Sequence, residues 1–226
     1  MGSQPRVTAY RHLVWDWNGT LMDDVQLCLE ITNLLLARRA LPPMDTVRYR
    51  DVFGFPLRDY CQRIGFDLCR DSYEAISDEF AEIYEQRRYE CPLQKGAAAL
   101  LAERARLGVD HSLLSAYGQE RLEEIVHFYG LDSFFSAVVG LDNDYGEGKV
   151  ERGRRRMEEM SWDAAAVLYV GDTLHDAEVA RAMGVDCLLI AHGHQSRVRL
   201  QDAGYPVVND LGGVEPFLAG NFDPRS

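Results

Sequence analysis

The sequence predicts a doubly wound α/β core, a Rossmann-like parallel sheet covered on both faces, interrupted by an all-helical insert. Three observations carry this. From Cys91-Pro92 onward, stretches of helical period alternate with short, wholly apolar β-rich runs, the pattern of strands buried on both faces of a parallel sheet. Between Asp23 and Arg88 the apolar spacing is helical throughout, with no strand signal. Before that insert stands one further apolar run, Tyr10 to Trp15, cut off by the turn-rich Asp16-Trp17-Asn18-Gly19-Thr20.

Taken in order, Tyr10–Trp15 is the first strand. Leu27, Ile31, Leu34 and Leu35 form the stripe of a first insert helix, and Tyr73, Ile76, Phe80 and Ile83 the stripe of a later one, with Asp71 and Glu74 placed as an N-terminal capping pair. Between them Phe53-Gly54-Phe55-Pro56 reads as a turn, followed by a short helix over 57–64. A helix over 97–106 leads to a strand at 112–115, a helix over 120–129 to 137–139, a helix over 150–160 to 166–170, and a helix over 176–183 to 185–190. A weak strand at 206–208 precedes the last helix. The expected domains are therefore a core of residues 1–20 and 93–226 and a helical cap of 21–92.

Composition narrows the function. The net charge of −12 argues against nucleic acid, whose phosphates demand a basic face. No apolar run reaches the ~18 residues of a membrane span, and residues 1–6 lack the basic-then-apolar pattern of a secretory signal. The cysteines at 28, 61, 69, 91 and 187 are odd in number and scattered, as expected of free thiols in a reducing cytoplasm. A cytoplasmic protein is the expectation, with a monomer and a homodimer both compatible.

Ligands of open parallel sheets bind beyond the carboxyl ends of the strands. The residues directly after the first, second and fourth strands are Asp16 to Thr20, Ser115-Ala116 and Gly171-Asp172-Thr173-Leu174-His175-Asp176. Lys149 opens the helix before the fourth strand. It is one of only two lysines among 24 basic residues, and a compact point charge suits a phosphoryl oxygen. Each has an ordinary alternative: Ser115 as a turn serine, Asp172 and Asp176 as carboxylates at a helix N-terminus. Together they suit phosphoryl transfer, with carboxylates sharing a hard cation, an ammonium and a hydroxyl on phosphoryl oxygens, and a carboxylate nucleophile.

The set Asp16-Trp17-Asn18-Gly19-Thr20-Leu21, Ser115, Lys149 and Gly171-Asp172-Thr173 with Asp176 resembles the four ordered motifs of the haloacid dehalogenase superfamily. The likeness spans essentially the whole chain and is nearest the phosphoglycolate phosphatase-like branch with its helical cap. It implies a Mg²⁺-dependent phosphatase acting on a small phosphorylated metabolite through an aspartyl-phosphate intermediate. It implies Asp16 as nucleophile; Asp16, the Asn18 carbonyl and Asp172 as metal ligands, supported by Asp176; and Ser115, Ala116 and Lys149 around the phosphoryl group. The sequence departs from that pattern at Asn18, where an acid/base Asp is usual, at Ala116 and at Val150. An amide moves no proton, so turnover is expected to be slow, or the chain is a catalytically weakened phosphate-binding or regulatory relative. Phosphonoacetaldehyde hydrolysis needs a cap lysine that residues 21–92 lack. Arg48, Arg50 and Arg58, flanking the Phe53–Pro56 turn, are candidates to meet a second anionic group, and His175 is a candidate proton shuttle.

Overall fold

The computed structural model describes residues 10–142 and 148–221. Six strands form one fully parallel sheet in the order β3-β2-β1-β4-β5-β6: β1 His12–Trp15, β2 Asp110–Gly118, β3 Ala137–Leu141, β4 Val167–Gly171, β5 Asp186–Ile190 and β6 Val207–Val208. Trp15, the last residue of β1, is level with Leu113 on one side and Val170 on the other. The order reverses at β1, and the crevice beyond its carboxyl end is where such sheets bind ligands.

Period-two alternation sorts the buried side chains into two cores. Leu13, Trp15, Leu168, Val170, Leu188 and Ile190 face one layer, together with Leu100 and Leu101 of α5 (Ala97–Arg106) and Ile125 of α6 (Gln119–Phe128). Val14, Val167, Tyr169, Cys187 and Leu189 face the other, covered by Val179 and Met183 of α8 (Leu174–Met183) and Leu200 of α9 (Arg197–Gln201). Helix α7 (Lys149–Met160) lies on that second layer, and α10 (Val214–Leu218) closes the described chain on the first.

Between β1 and β2 the chain is helical: α1 Val25–Arg38, α2 Thr46–Val52, α3 Leu57–Ile64, α4 Tyr73–Arg87 and one 3₁₀ turn, Arg88–Glu90. Helix α1 packs on α4, and their apolar faces join the first core without a break. Three expectations shift. Ser72, one residue after Asp71, caps α4 by accepting from the Ala75 N–H at 3.1 Å, while Asp71 pairs with Arg39 at 3.0 Å. Leu34 is 44% exposed and lies off the buried face of α1, which carries Leu27, Ile31 and Leu35 together with Val25, Cys28, Leu29, Thr32 and Leu36. Strand β2 extends past Ser115 to Gly118 through a register shift, which carries Ser115 and Ala116 along the sheet's upper edge. The short α2 and α9 have no counterpart in the apolar spacing.

Candidate active site

Asp16 leaves the end of β1 held in line by its N–H on the Val170 carbonyl, 2.9 Å away. The next six residues fold back on themselves, the N–H groups of Thr20, Leu21 and Met22 converging on the Trp17 carbonyl. Gly19 has a φ of +75°, and a Cβ there would lie 2.5 Å from both Asp172 Oδ2 and the His194 ring. The turn therefore requires glycine twice over, for its backbone and for the approach of those two side chains.

On β4's end, Asp176 turns back from α8 to accept from Thr173 N, Thr173 Oγ1 and Asp172 N at 2.9, 2.7 and 3.2 Å, forming a capping box with Thr173. A Cβ on Gly171 would come within 2.3 Å of the Asp176 carboxyl carbon, so only glycine lets this carboxylate cross the strand end. Its other oxygen accepts from Lys149 Nζ at 2.6 Å and from Tyr169 at 3.1 Å. Lys149, the first residue of α7, thus bridges Asp176 and Asp16, the latter at 2.5 Å. Asp172 accepts from Thr20 Oγ1 at 2.9 Å and from the His194 N–H at 2.6 Å.

Of the seven residues expected from the sequence, Asp16, Asn18, Ser115, Ala116, Lys149 and Asp176 line one cavity of about 220 Å³. Asp172 lies just behind it, and carboxylate oxygens of Asp16, Asp172 and Asp176 sit within 4.8 Å of one another. Three carboxylates lie buried together, and the Lys149 ammonium contacts two of them, Asp16 and Asp176. Burial, reinforced by the two neighbouring carboxylates against the pull of Lys149, pushes Asp16 up to about 8. Burial likewise lifts Asp172 to about 6, although His194 opposes it. Burial would lift Asp176 too, but Lys149 and Thr173 hold it below the usual carboxylate range. The uncompensated charge and the all-oxygen donor set fit a hard divalent cation.

A second buried group lies beside the first. Asp24 accepts from Gly19 N at 2.8 Å, from Asn18 Nδ2 at 2.8 Å and from the Tyr84 hydroxyl at 2.8 Å, and its other partner is His194 Nε2 at 3.2 Å. Burial would keep His194 neutral, but Asp24 beside it, aided by Asp172 and Asp16, raises it to about 9. Asp24 in turn is held below its ordinary value by His194, Asn18 and Tyr84, against burial. Cys28 Sγ, 3.5 Å from the same carboxylate, completes a cluster whose donors are already engaged with one another. Sequence reasoning missed Asp24 and His194 as site residues. The strand-end rule applied to β5 points to His194.

The remaining candidates lie outside the cavity lining. His175 stacks on Phe55 with ring centroids 4.7 Å apart and faces Glu178 at 3.0 Å, outside the cavity lining. Arg48 is exposed, Arg58 sits near Glu74 at the surface, and Arg50 donates to the His192 carbonyl at 2.6 Å. None of the three lines the cavity. The last contact belongs to a seam joining α2 to the loop after β5: Ser196 N donates to the Arg50 carbonyl, Gln195 to the Phe53 carbonyl at 3.0 Å, and Arg199 to both carbonyls.

Over 196 residues the chain is 28% identical to a 5'-nucleotidase of Pseudomonas aeruginosa, covering 85% of this chain and 87% of that protein. A phosphoglycolate phosphatase of Synechococcus elongatus is 24% identical over 194 residues, covering 83% and 87%. In fold, the crystal structure of a predicted phosphatase from Clostridium acetobutylicum superposes with a TM-score of 0.79 at 20% identity, covering 93% of this chain and 98% of that one. The sequence model of haloacid dehalogenase-like hydrolases matches residues 13–190, from the first strand through β5, and the chain belongs to that family.

Proposed function

We propose that the chain is a Mg²⁺-dependent phosphomonoester hydrolase with Asp16 as nucleophile. The observation that carries this is the buried contact of Asp16 with Lys149 at the sheet's reversal point, facing a cavity closed on its far side by the helical insert. The two sequence relatives, named for a nucleotide and for phosphoglycolate, both carry names of phosphomonoester hydrolases. Among the described residues no helix is long and apolar enough to cross a membrane.

In this reading Lys149 Nζ and the Ser115 hydroxyl hold oxygens of the transferring group. The Ser115 oxygen already accepts from Tyr117 N at 3.2 Å, which leaves its proton free to donate. Asp16 attacks phosphorus, the ester P–O bond breaks, and the electron pair leaves with the alcohol oxygen. Water then attacks the acyl phosphate, releasing inorganic phosphate and restoring the carboxylate. Asp16, Asp172 and the Asn18 carbonyl would hold Mg²⁺, with Asp176 fixing Lys149 and the loop around them. When bound, the ion offsets negative charge on the carboxylates and on the phosphoryl oxygens. Residues 21–92 act as the cap that excludes water and selects the leaving group.

Asn18 favours a second reading, a phosphate-binding relative that has lost turnover. Its amide nitrogen donates to Asp24 and to the Tyr84 hydroxyl, 2.8 and 2.7 Å away, and it transfers no proton. Phosphate release from a panel of phosphomonoesters, with and without Mg²⁺, separates the two. Hydrolysis that requires Mg²⁺ and disappears in Asp16→Ala supports the first. Undiminished activity in Asp16→Ala refutes it, and phosphate binding without turnover selects the second.

A further inference from the structure

The part of the cavity away from Lys149 is walled by two banks of rings. Phe53, Phe55 and Tyr60 stand on one side, Phe53 meeting the other two edge to face at 5.9 and 5.2 Å. Phe80, Tyr84 and Tyr117 stand on the other, Phe80 stacked on Tyr84 and Tyr84 edge-on to Tyr117, both pairs at 5.9 Å. An apolar cavity of about 150 Å³ takes one benzene ring. The space of about 220 Å³ therefore holds a single ring beside a phosphoryl group. Aromatic walls favour a ring in that position, by offset stacking and edge contacts as well as by area.

Charge narrows the choice further. Among the described residues lining the cavity the cations are Lys149, His194 and Arg121, and each already faces a carboxylate: Asp16 and Asp176, Asp24, and Glu85 at 3.8 Å. A substrate carrying a carboxylate next to its phosphate finds no spare counter-charge there. Proton supply is the third constraint. Asn18 is an amide; Tyr84 donates to Asp24, Tyr117 to Glu85, and both nitrogens of His194 are engaged by Asp24 and Tyr49. The Tyr60 hydroxyl is buried, and burial drives its proton affinity well above that of an ordinary phenol, so it supplies no proton. A leaving oxygen must then depart as the anion. A phenol does so readily, with a pKa of about 10; water and simple alcohols sit nearer about 16.

Resting on the hydrolase reading above, we propose that the physiological substrate is the phosphate ester of a phenol, its ring seated between the two aromatic banks and its phenolate leaving without protonation. The bond cleaved is the aryl O–P bond, Asp16 takes the phosphoryl group, and the phenolate is protonated by solvent after release.

The test compares kcat/KM with Mg²⁺ for phenyl phosphate, glycerol phosphate and phosphoglycolate, in the native protein and in Asn18→Asp. The expected result is a preference of at least a hundredfold for the phenyl ester. Asn18→Asp, by supplying an acid, should raise the aliphatic esters at least tenfold more than the aryl one. Aliphatic esters hydrolysed as well as the aryl ester by the native protein overturn the proposal, even though the chain is then a phosphatase. Calorimetric binding of phenylphosphonate and methylphosphonate reads the ring site without turnover. Phenylphosphonate should bind at least tenfold tighter, and Phe80→Ala should shrink that ratio about tenfold. If no ester is hydrolysed but the ratio holds, the hydrolase reading falls and the aryl site stands; equal binding of the two overturns the aryl site.

Discussion

Removing the charge of His194 isolates the buried ion pair that underlies the active-site turn, and its cost follows from the contacts. Asp24 is 1% exposed and His194 4%, so neither can turn to water for solvation. The imidazole rises from an ordinary value of 6.5 to about 9. At about 1.4 kcal/mol per unit this corresponds to roughly 3 kcal/mol of stability, within the ~3–5 kcal/mol typical of breaking one partner of a buried pair. The group's folded value is raised, so its contribution is complete below about pH 6.5 and is lost as pH rises through about 9. Asp24 sets the acid limit: its folded value is lowered, so the same interaction is present above the ordinary carboxylate value and lost as pH falls through the folded one. His194→Gln keeps a hydrogen-bonding side chain without the charge. Urea unfolding in EDTA at pH 6, 7.5 and 9.5 should give a destabilisation of about 3 kcal/mol at pH 6 that shrinks toward zero by pH 9.5. A loss that is the same at all three pH values, or below about 1 kcal/mol at pH 6, refutes the ion pair as the source.

Asp16→Asn should abolish Mg²⁺-dependent phosphate release and yet raise Tm by about 2–4 °C per kcal/mol of relieved burial, measured by differential scanning calorimetry, because a carboxylate lifted to about 8 is destabilising when ionised. Mg²⁺ at about a hundred times its Kd should stabilise the native protein by about 2.7 kcal/mol, and Asp172→Ala should lose that response in thermal melts. The Mg²⁺ affinity, followed by calorimetric titration, should fall from pH 8 to pH 6, since protons compete for Asp16 and Asp172, lifted to about 8 and about 6. Gly171→Ala, whose Cβ would overlap Asp176, should cost about 2 kcal/mol or more in urea unfolding and weaken Mg²⁺ binding with it.

Much of this site was legible because its residues sit where strands end. The parallel sheet showed in its apolar runs, and the carboxylates directly after β1 and β4 were read from that position alone. Helices α3 and α5 were located to the residue, since both begin and end where the apolar spacing does. Helices α2 and α9, with seven and five residues, are too short to show a period; α2 owes its start to Asp45, whose side chain accepts from Arg48 N at 2.8 Å. The contact of Asp24 with His194 spans 170 positions and exists only once β5 lies near β1. That Asn18 is an amide stands in the sequence itself. Its engagement with Asp24 and Tyr84 needed the fold, because Tyr84 arrives on α4 from a different part of the chain.

The seam between α2 and the loop after β5 bears on how this architecture can be rebuilt. The last carbonyls of a helix need outside donors, and the carbonyl of Arg50 in α2 and that of Phe53 directly after it are met by the backbone of Ser196 and the side chains of Gln195 and Arg199. Gln195 is itself fixed by accepting from Leu174 N at 2.8 Å, at the first turn of α8. A chimera that exchanges residues 21–92 with those of a relative would thus strand three donors on the recipient and leave the incoming helix unfinished. The graft has to carry residues 192–199 with it, so the smallest transplantable unit is two segments distant in sequence.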